Sequence, residues 1–279
     1  MVINFFKKLQ YILIRKIEKY PYLNLLILNN LFYFRFFLPH EKDFLGMKLI
    51  LKNNLIDTFV DVGANIGASS MSFRKMGFKN PIYLFEPNFF LFENKLKKLL
   101  PYYENLFLFN LALSNKNAKS FFYLPFIGKQ CIHYFSSFDK LYIINSIKKT
   151  FKDINFSIKK KKIRRMRFDD LNINKSVSFI KIDAEGHDHE VIQGFKETIV
   201  KYKPILLIEF NKENFFQIKK ELNGYYPYIY NIDKNIFNRV KKSLINKNID
   251  RSDPNNLLSI RNIYFFHKSY LKNCLKLFQ

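Results

Sequence analysis

Between residues 58 and 210, short apolar runs alternate with helical stretches, and this rhythm restricts the fold more than any other feature of the sequence. Apolar runs of four to six residues are typical of strands that are buried on both faces. Strands that alternate with helices favour a mostly parallel sheet covered by helices on both sides. We therefore predict a doubly wound α/β fold. The predicted strands are at 58–62, 81–85, 106–110, 179–182 and 205–210.

Stop signals in the sequence place the intervening helices. The predicted helices are at 69–76, 91–100 and about 188–202. Gly77 ends the first and Pro101 ends the second, because glycine and proline do not continue a helix. Two later runs, 226–232 and 262–267, predict strands that are added antiparallel to the sheet near the end of the chain.

One domain, residues 41–279, accounts for this pattern, with an insertion at about 126–165. Residues 119–124 predict an edge strand before the insertion, 126–157 show no regular pattern, and 159–167 form a basic run. A long insertion in a compact domain is usually functional or disordered. We interpret it either as a lid or substrate-recognition segment or as a solvated basic loop.

The N-terminal extension, residues 1–40, is basic, rich in aromatic residues and predicted to be helical. Within it, 1–20 place apolar residues on one helical face, which is typical of a helix on an anionic membrane or of a helix docked on the domain. Polar residues interrupt 22–38, so we expect no spanning helix. No small-residue cleavage site follows a short apolar core, so we expect no signal peptide either. Cys131 and Cys274 match no metal or redox spacing. We expect a cytoplasmic protein, with the extension available for peripheral contact with the inner face of the membrane.

The formal net charge of +24 would attract phosphates, acidic glycans or an anionic membrane. However, the chain is also rich in Lys, Asn, Ile and Phe and poor in Gly, Pro and Trp, which is how an AT-rich coding bias looks. The charge alone therefore assigns no partner.

The strongest local signal is the segment 61–67, Asp-Val-Gly-Ala-Asn-Ile-Gly, between the first strand and the first helix. Gly63 allows a tight turn and Gly67 allows backbone and ligand to approach closely, while the helix presents its N-terminal N–H groups to the crevice. A carboxylate at Asp61 disfavours a pyrophosphate and favours a ligand that carries a sulfonium and an ammonium group. A purely structural glycine turn is the alternative.

A second acidic residue, Glu86, follows the second strand in the segment 85–88, Phe-Glu-Pro-Asn. A carboxylate in this position can accept both ribose hydroxyls of an adenosine. Without a ligand, Glu86 would be an ordinary acidic residue at a helix N-terminus. The glycine turn upstream leads us to favour the ribose role.

Polar residues crowd the end of the fourth strand. They are Lys181, Asp183, Glu185, His187, Asp188, His189 and Glu190. Ligands of open α/β sheets lie outside the carboxyl ends of the strands, so we expect Asp183 to point into the crevice. The cluster could hold a divalent cation or supply a general base. Helix capping by Asp183, Glu185 or Asp188 is the alternative, and His189 is interpreted as a surface residue.

In combination, these segments resemble the FkbM family of methyltransferases. The matching stretches follow the family's order and cover about residues 40–211, and the ordered set is more specific than any one of them. They are at 60–67, 85–88, 111–114, 168–171, 180–186 and 204–209.

The resemblance implies a class I methyltransferase fold, which is Rossmann-like, with S-adenosylmethionine as methyl donor. It also implies O-methylation of a small molecule or glycan, often a sugar or a polyketide-type hydroxyl. Asp188 departs from the family, where Glu is usual. By position, the resemblance assigns Asp61, Gly63, Ala64, Asn65 and Gly67 to the methionine-side loop, Glu86 and Pro87 to the ribose, Ala112 to the adenine, and Lys181, Asp183 and Glu185 to the hallmark polar set.

Methyl transfer from a sulfonium is an in-line displacement, so the protein mainly holds donor and acceptor at near-attack distance. A hydroxyl acceptor also benefits from a base or a cation. We predict Asp183 as the central catalytic residue, with Glu185 beside it, His187 as the second candidate base and Lys181 orienting a substrate oxygen. No metal ligand is assigned.

Two other classes of protein fit parts of the sequence. A nicotinamide-dependent oxidoreductase would share the fold, but Asn65 stands where the middle glycine of its loop belongs. An RNA-binding protein would explain the charge, the basic run at 159–167 and the aromatic residues. No aromatic recognition motif is present, and the fourth strand is not followed by the Asn/Asp-Pro-Pro-aromatic stretch of base-amine methyltransferases, so we expect no nucleic-acid substrate.

Overall fold

A computed structural model describes residues 44–278 apart from 152–153, 174, 232–233 and 241–261, so the predicted extension at 1–40 lies outside the described residues. The described chain forms two units, which we call the larger unit (44–120 and 163–278) and the smaller unit (121–162). No helix of the described part is long and apolar enough to cross a membrane.

Twelve strands are present in the described chain. They are β1 (Phe59–Val62), β2 (Ile82–Phe85), β3 (Leu106–Phe109), β4 (Ala112–Leu113), β5 (Ala118–Ile127), β6 (Gln130–Cys131), β7 (Ser157–Met166), β8 (Phe179–Ile182), β9 (Ile205–Glu209), β10 (Tyr225–Asn231), β11 (Ile236–Arg239) and β12 (Asn262–His267). Eight of them form one sheet in the larger unit, in the order β11-β10-β12-β9-β8-β1-β2-β3.

This sheet confirms the predicted α/β fold. The five strands β3, β2, β1, β8 and β9 are parallel, and β12, β10 and β11 continue the sheet antiparallel at one edge. All four residues of β1, β2 and β8 are buried, as expected for strands covered on both faces. On one side of the sheet the ring of Phe59 stacks on that of Phe73, with their centroids 4.3 Å apart, and meets Phe179 edge-on.

Eight α-helical segments accompany the strands in the described residues. They are α1 (Leu45–Lys52), α2 (Ala68–Lys75), α3 (Phe89–Leu91), α4 (Lys140–Thr150), α5 (Asp188–Gly194), α6 (Lys196–Tyr202), α7 (Lys212–Glu221) and α8 (Lys268–Asn273).

Two predicted helices differ from the observed ones. The helix predicted at 91–100 begins at Phe89, continues as a π turn and ends as a 3-10 turn, Lys97–Tyr102, that includes Pro101. This end is exposed, so water can satisfy the backbone carbonyls that the proline leaves without a partner.

The single helix predicted at 188–202 is instead two helices, α5 and α6, which meet at the buried Phe195. The carboxylate of Asp169 accepts the backbone N–H groups of Glu197 and Thr198 at 2.8 and 3.0 Å, together with the Thr198 hydroxyl at 2.7 Å. These bonds supply a second helix N-terminus inside the predicted helix.

The smaller unit is more regular than the sequence predicts. β5 lies between β6 and β7, so the predicted edge strand at 119–124 is an inner strand. The stretch 126–157 contains β6, a 3-10 turn and α4, and the expectation of an irregular segment was wrong. Ile143 and Ile147 of α4 are fully buried against other apolar residues of this unit.

The basic run at 159–167 also differs from its prediction as a loop, because most of it belongs to β7. The ammonium groups of Lys159 and Lys160 lie 4.6 and 4.7 Å from the ring centroids of Phe126 and Phe121. The aromatic rings of β5 thus stabilise the lysine side chains of the neighbouring strand β7. The last four residues of β7 belong to the larger unit, where Arg165 and Met166 pair in parallel with β4.

Candidate active site

Acidic residues lie at the carboxyl ends of four neighbouring parallel strands of the larger unit. They are Asp61 of β1, Glu86 after β2, Asp183 after β8 and Glu209 of β9. From β1 the chain continues to β2 on one side, and β8 later pairs with the other side of β1. A doubly wound sheet forms its ligand crevice at such a reversal, so these residues surround the expected ligand position.

The glycine loop after β1 folds over the end of β2. The backbone N–H groups of Gly63 and Ala64 donate to the carbonyl of Phe85 at 3.0 and 3.1 Å. Gly63 has φ +70°, and a Cβ atom at this position would overlap the carbonyl oxygen of Asp183. Glycine at 63 is therefore required by the close approach of the loops after β1 and β8.

Gly67 begins α2 in a left-handed conformation, with φ +87°. A Cβ atom here would lie 2.7 Å from Cδ1 of Leu99. The space left by the missing side chain is thus filled by leucine side chains of the fold, whereas the sequence predicted the close approach of a ligand at Gly67.

Glu86 links the glycine loop to the end of β2. One carboxylate oxygen accepts the N–H of Asn65 and the other that of Asn88, both at 2.7 Å. The side chain is buried, and this burial raises the pKa of Glu86 to about 7 although both hydrogen bonds lower it. Each oxygen has a second lone pair, so Glu86 could accept ribose hydroxyls while it keeps both backbone bonds.

Lys181 lies buried between two carboxylates. Its ammonium nitrogen is 3.0 Å from Oδ2 of Asp183, 3.6 Å from Oδ1 of Asp61 and 3.4 Å from the carbonyl oxygen of Gly63. It therefore joins the loops that follow β1 and β8. In this arrangement Lys181 holds Asp183 in a fixed orientation, and its predicted contact with a substrate oxygen stays a prediction.

Asp61 is completely buried, and its Oδ2 accepts the hydroxyl of Ser70 at 2.6 Å. Burial raises the pKa of this carboxyl, and the charge of Lys181 offsets part of the effect. Within the described residues Oδ1 of Asp61 accepts no hydrogen bond. The ammonium of Lys181, 3.6 Å away, is the cation that faces this buried oxygen and offsets part of the cost of burying it.

The loop after β8 places Glu185 in a left-handed conformation, with φ +48°. This is unusual for a glutamate, and backbone strain of this kind clusters at functional sites. Burial, together with the neighbouring charges of Asp183 and Glu209, raises the pKa of Glu185 to about 8.

Asp188 closes this loop. Its side chain is buried, and Oδ1 accepts the N–H of Ala184 at 2.9 Å. Burial raises its pKa to about 6. Asp188, the residue at which the chain departs from the family pattern, thus accepts a hydrogen bond inside the loop.

The two histidines of the loop and α5 lie near glutamates. Nδ1 of His187 is 3.6 Å from Oε1 of Glu190, and a hydrogen bond from His187 lowers the pKa of Glu190 to about 2. Nε2 of His189 is 3.2 Å from Oε1 of Glu221 on α7. His189 thus lies at the surface of the larger unit, as expected.

Three further residues contact or border this site and were assigned no role from the sequence. Ser70 lies on α2, where nothing in the local pattern indicates a contact with Asp61. Asn110 donates from Nδ2 to the carbonyl of Glu86 at 2.8 Å. Glu209 could have been found, because the rule that directs attention to the carboxyl ends of strands applies equally to β9.

The predicted adenine-side residue, Ala112, is buried in β4 opposite Arg165 of β7. Pro87 is partly buried between Glu86 and Asn88. Among the described residues no group of three or more His, Cys, Asp and Glu side chains has an arrangement that could hold a metal ion.

The raised pKa of Glu185 should lower the free energy of unfolding at high pH. We expect Glu185→Gln to raise the free energy of unfolding at pH 8 by about 2 kcal/mol and to change it little at pH 4.5. The unfolded carboxyl ionises near pH 4.5, whereas the folded one keeps its proton up to about pH 8, so stability falls as the pH rises between these values. Thermal unfolding across this pH range measures the difference.

Glu190→Gln is the matched control, and its expected effect on the free energy of unfolding has the opposite sign. The pKa of Glu190 is lowered to about 2, so this residue stabilises the folded protein above pH 4.5 and loses that effect as the pH falls towards 2. Its replacement should destabilise the protein at pH 7. Equal changes in the free energy of unfolding for the two variants would contradict the environments inferred for Glu185 and Glu190.

Comparison with known proteins identifies the family of the chain. The model of the methyltransferase FkbM domain matches residues 61–241. Among solved structures, methyltransferase FkbM from Methylobacillus flagellatus is 15% identical with a TM-score of 0.44, and the match covers 76% of this chain and 44% of that one. The chain thus spans less than half the length of that protein.

A precorrin-6y C5,15-methyltransferase from Geobacter metallireducens is 11% identical with a TM-score of 0.36, covering 78% of this chain and 84% of that one. No curated protein sequence matches the chain. The family model extends over well over half of the chain and includes both loops that border the crevice. The chain therefore belongs to the FkbM family of methyltransferases.

Proposed function

We propose that the chain is an S-adenosylmethionine-dependent methyltransferase that methylates a hydroxyl group of a sugar, a glycan or a related small molecule. The observation that carries the cofactor assignment is the acidic crevice in a strongly basic chain. Carboxyl groups lie at the ends of β1, β2, β8 and β9, and two of them, Asp61 and Asp183, pair with the ammonium of Lys181, although the chain has a net charge of +24.

This charge distribution distinguishes between ligands that could enter a doubly wound sheet. A sulfonium and an ammonium group are attracted by carboxylates, whereas the pyrophosphate of a dinucleotide would be repelled by Asp61 and its neighbours. The cofactor fits the residues present, since Glu86 retains lone pairs for ribose hydroxyls while it holds the backbone N–H groups of Asn65 and Asn88.

When bound, S-adenosylmethionine supplies an electrophilic methyl group. Glu86 would hold the ribose, the loop from Gly63 to Gly67 would lie along the methionine part, and Ala112 would lie on the adenine side. These residues bind and orient the donor, which is the main contribution of the protein to an in-line methyl transfer.

An oxygen acceptor is supported by the carboxylates that follow β8. The side chain of Asp183 is 36% exposed, and Lys181 fixes one of its oxygens at 3.0 Å. It can therefore orient an acceptor hydroxyl and take its proton as the new bond forms. Glu185 would not take this proton, because its raised pKa keeps it protonated near neutral pH. His187 is the alternative base.

Calorimetric titration of S-adenosylmethionine and S-adenosylhomocysteine tests the cofactor assignment. We expect micromolar binding of both, and Glu86→Ala should weaken it at least about tenfold, since a buried carboxylate that accepts hydrogen bonds is lost. Glu93→Ala removes an exposed carboxylate that pairs with Lys97, and this control should bind like the wild type.

Failure of the folded wild type to bind either compound would contradict the proposal. Binding of a nicotinamide dinucleotide in their place would support the oxidoreductase interpretation. Binding that Glu86→Ala retains would leave the cofactor correct and the ribose assignment wrong.

A further inference from the structure

The smaller unit holds a disproportionate share of the positive charge. Its 42 residues include nine lysines and two aspartates, so it supplies +7 of the chain's net charge of +24. One of these aspartates, Asp139, uses its carboxylate to accept the backbone N–H groups of Leu141 and Tyr142 at the start of α4. The acidic residues of the unit are therefore too few to neutralise its lysines.

Four of the lysines, Lys159 to Lys162, are consecutive residues of β7, and all four are exposed. Side chains alternate between the two faces of a strand, so these lysines extend on both sides of β7. The ammonium groups of Lys159 and Lys160 lie over the rings of Phe126 and Phe121, and both lysines are exposed. The result is a strand with a dense row of cations.

Exposed apolar side chains accompany these cations in the same unit. Leu141 is 69% exposed, Phe121 47% and Tyr142 40%. One such residue would be ordinary on a soluble surface. Three in a unit of 42 residues with a net charge of +7 form the combination by which proteins attach to the interface of an anionic bilayer.

We propose that the smaller unit binds the anionic surface of a lipid membrane, with the lysines of β7 contacting phosphate headgroups and the exposed apolar side chains entering the interface. The lysines attract the surface over a Debye length, and the apolar groups add contacts that salt does not screen. This inference is independent of the proposed chemistry, because it uses none of the crevice residues.

The composition of the unit favours a membrane over RNA. All nine of its basic residues are lysines, whereas sequence-independent RNA grooves commonly combine cations with arginine and aromatic stacking platforms. Leu141, the most exposed apolar side chain, offers no ring on which a base could stack. An aliphatic side chain contributes at a lipid interface instead.

Sedimentation of the full chain with phosphatidylcholine vesicles, with and without phosphatidylserine, tests the proposal. The wild type should bind only vesicles that contain phosphatidylserine, and added salt should weaken binding. The double variant Lys160→Gln/Lys162→Gln should weaken it about tenfold or more. Leu141→Ser should reduce the binding that persists at high salt.

Lys219→Gln/Lys220→Gln is the matched control, because it removes the same charge from exposed positions on α7 in the larger unit. It should keep nearly full vesicle binding. Equal losses in the two double variants, or no vesicle binding by the wild type, would overturn the proposal. So would loss of polyuridylate binding without loss of vesicle binding in the β7 variant.

S-adenosylmethionine titration of the same samples separates the two proposals. The β7 variant should bind the cofactor like the wild type. If cofactor binding is absent while vesicle binding follows the expected pattern, the proposed chemistry fails and the membrane contact stands.

Discussion

Gly63→Ala is expected to lower the free energy of unfolding by about 4 kcal/mol and to abolish cofactor binding. The residue has φ +70°, which costs alanine backbone strain, and the added methyl group would overlap the carbonyl oxygen of Asp183. Relief of the overlap requires the loops after β1 and β8 to separate. That movement would also disturb the contacts of Lys181 with Gly63 and Asp183. Urea unfolding and calorimetric titration measure the two effects.

Two glycines serve as controls for Gly63. Gly77 has φ +95° with open space around it, so Gly77→Ala should show the backbone strain alone, about 1 kcal/mol. A Cβ atom at Gly194 would overlap the carbonyl oxygen of Ser114, without a positive φ, so Gly194→Ala should destabilise the fold while the folded fraction still binds cofactor. If Gly63→Ala behaves like Gly77→Ala, the inferred approach of the two loops is wrong.

Asp183→Asn is expected to lower methyl transfer by a factor of about 10²–10⁴, while the affinity for S-adenosylmethionine changes only a few-fold. Asparagine keeps the size of the side chain and can still accept a hydrogen bond from Lys181, but it cannot take a proton from a hydroxyl. The release of S-adenosylhomocysteine, in the presence of whichever hydroxyl compound the wild type methylates, measures turnover. Titration of the same sample measures binding.

His187→Asn distinguishes the two candidate bases. If Asp183 is the base, His187→Asn should retain most of the turnover. Wild-type turnover by Asp183→Asn, together with loss of turnover in His187→Asn, would transfer the role to the histidine.

The parallel part of the sheet could be predicted from the sequence because its strands are short, apolar and buried on both faces. The bounds of β8 agree at both ends with the prediction of 179–182. The same reasoning placed Asp61, Glu86 and Asp183 at one edge of the sheet, where the structure has them. The rule that ligands lie outside the carboxyl ends of strands needs only the parallel direction of the strands, which follows from the alternating pattern.

Other features of the structure could not be predicted because they depend on contacts between residues that are distant in the sequence. The break between α5 and α6 depends on Asp169, which lies 28 residues before Glu197 in the sequence. The position of Lys181 between Asp61 and Asp183 requires β1 and β8 to be neighbours in register, whereas the sequence alone suggested a lysine that faces substrate.

The smaller unit was mistaken for irregular chain for a related reason. A run of four lysines has no apolar periodicity, so Lys159–Lys162 reads as a loop when it is considered alone. The rings of Phe121 and Phe126 on β5 supply the apolar partner that makes a strand stable there. Such a partner is visible only when the pairing of β5 and β7 is known.

The chain enters the smaller unit along β5 and leaves it along β7, and these two strands are neighbours. An inserted segment whose two ends are adjacent can be lengthened, shortened or exchanged without changing the strand order of the host sheet. The smaller unit is therefore a replaceable insertion, and its exchange would leave the crevice at the ends of β1 and β8 unaltered.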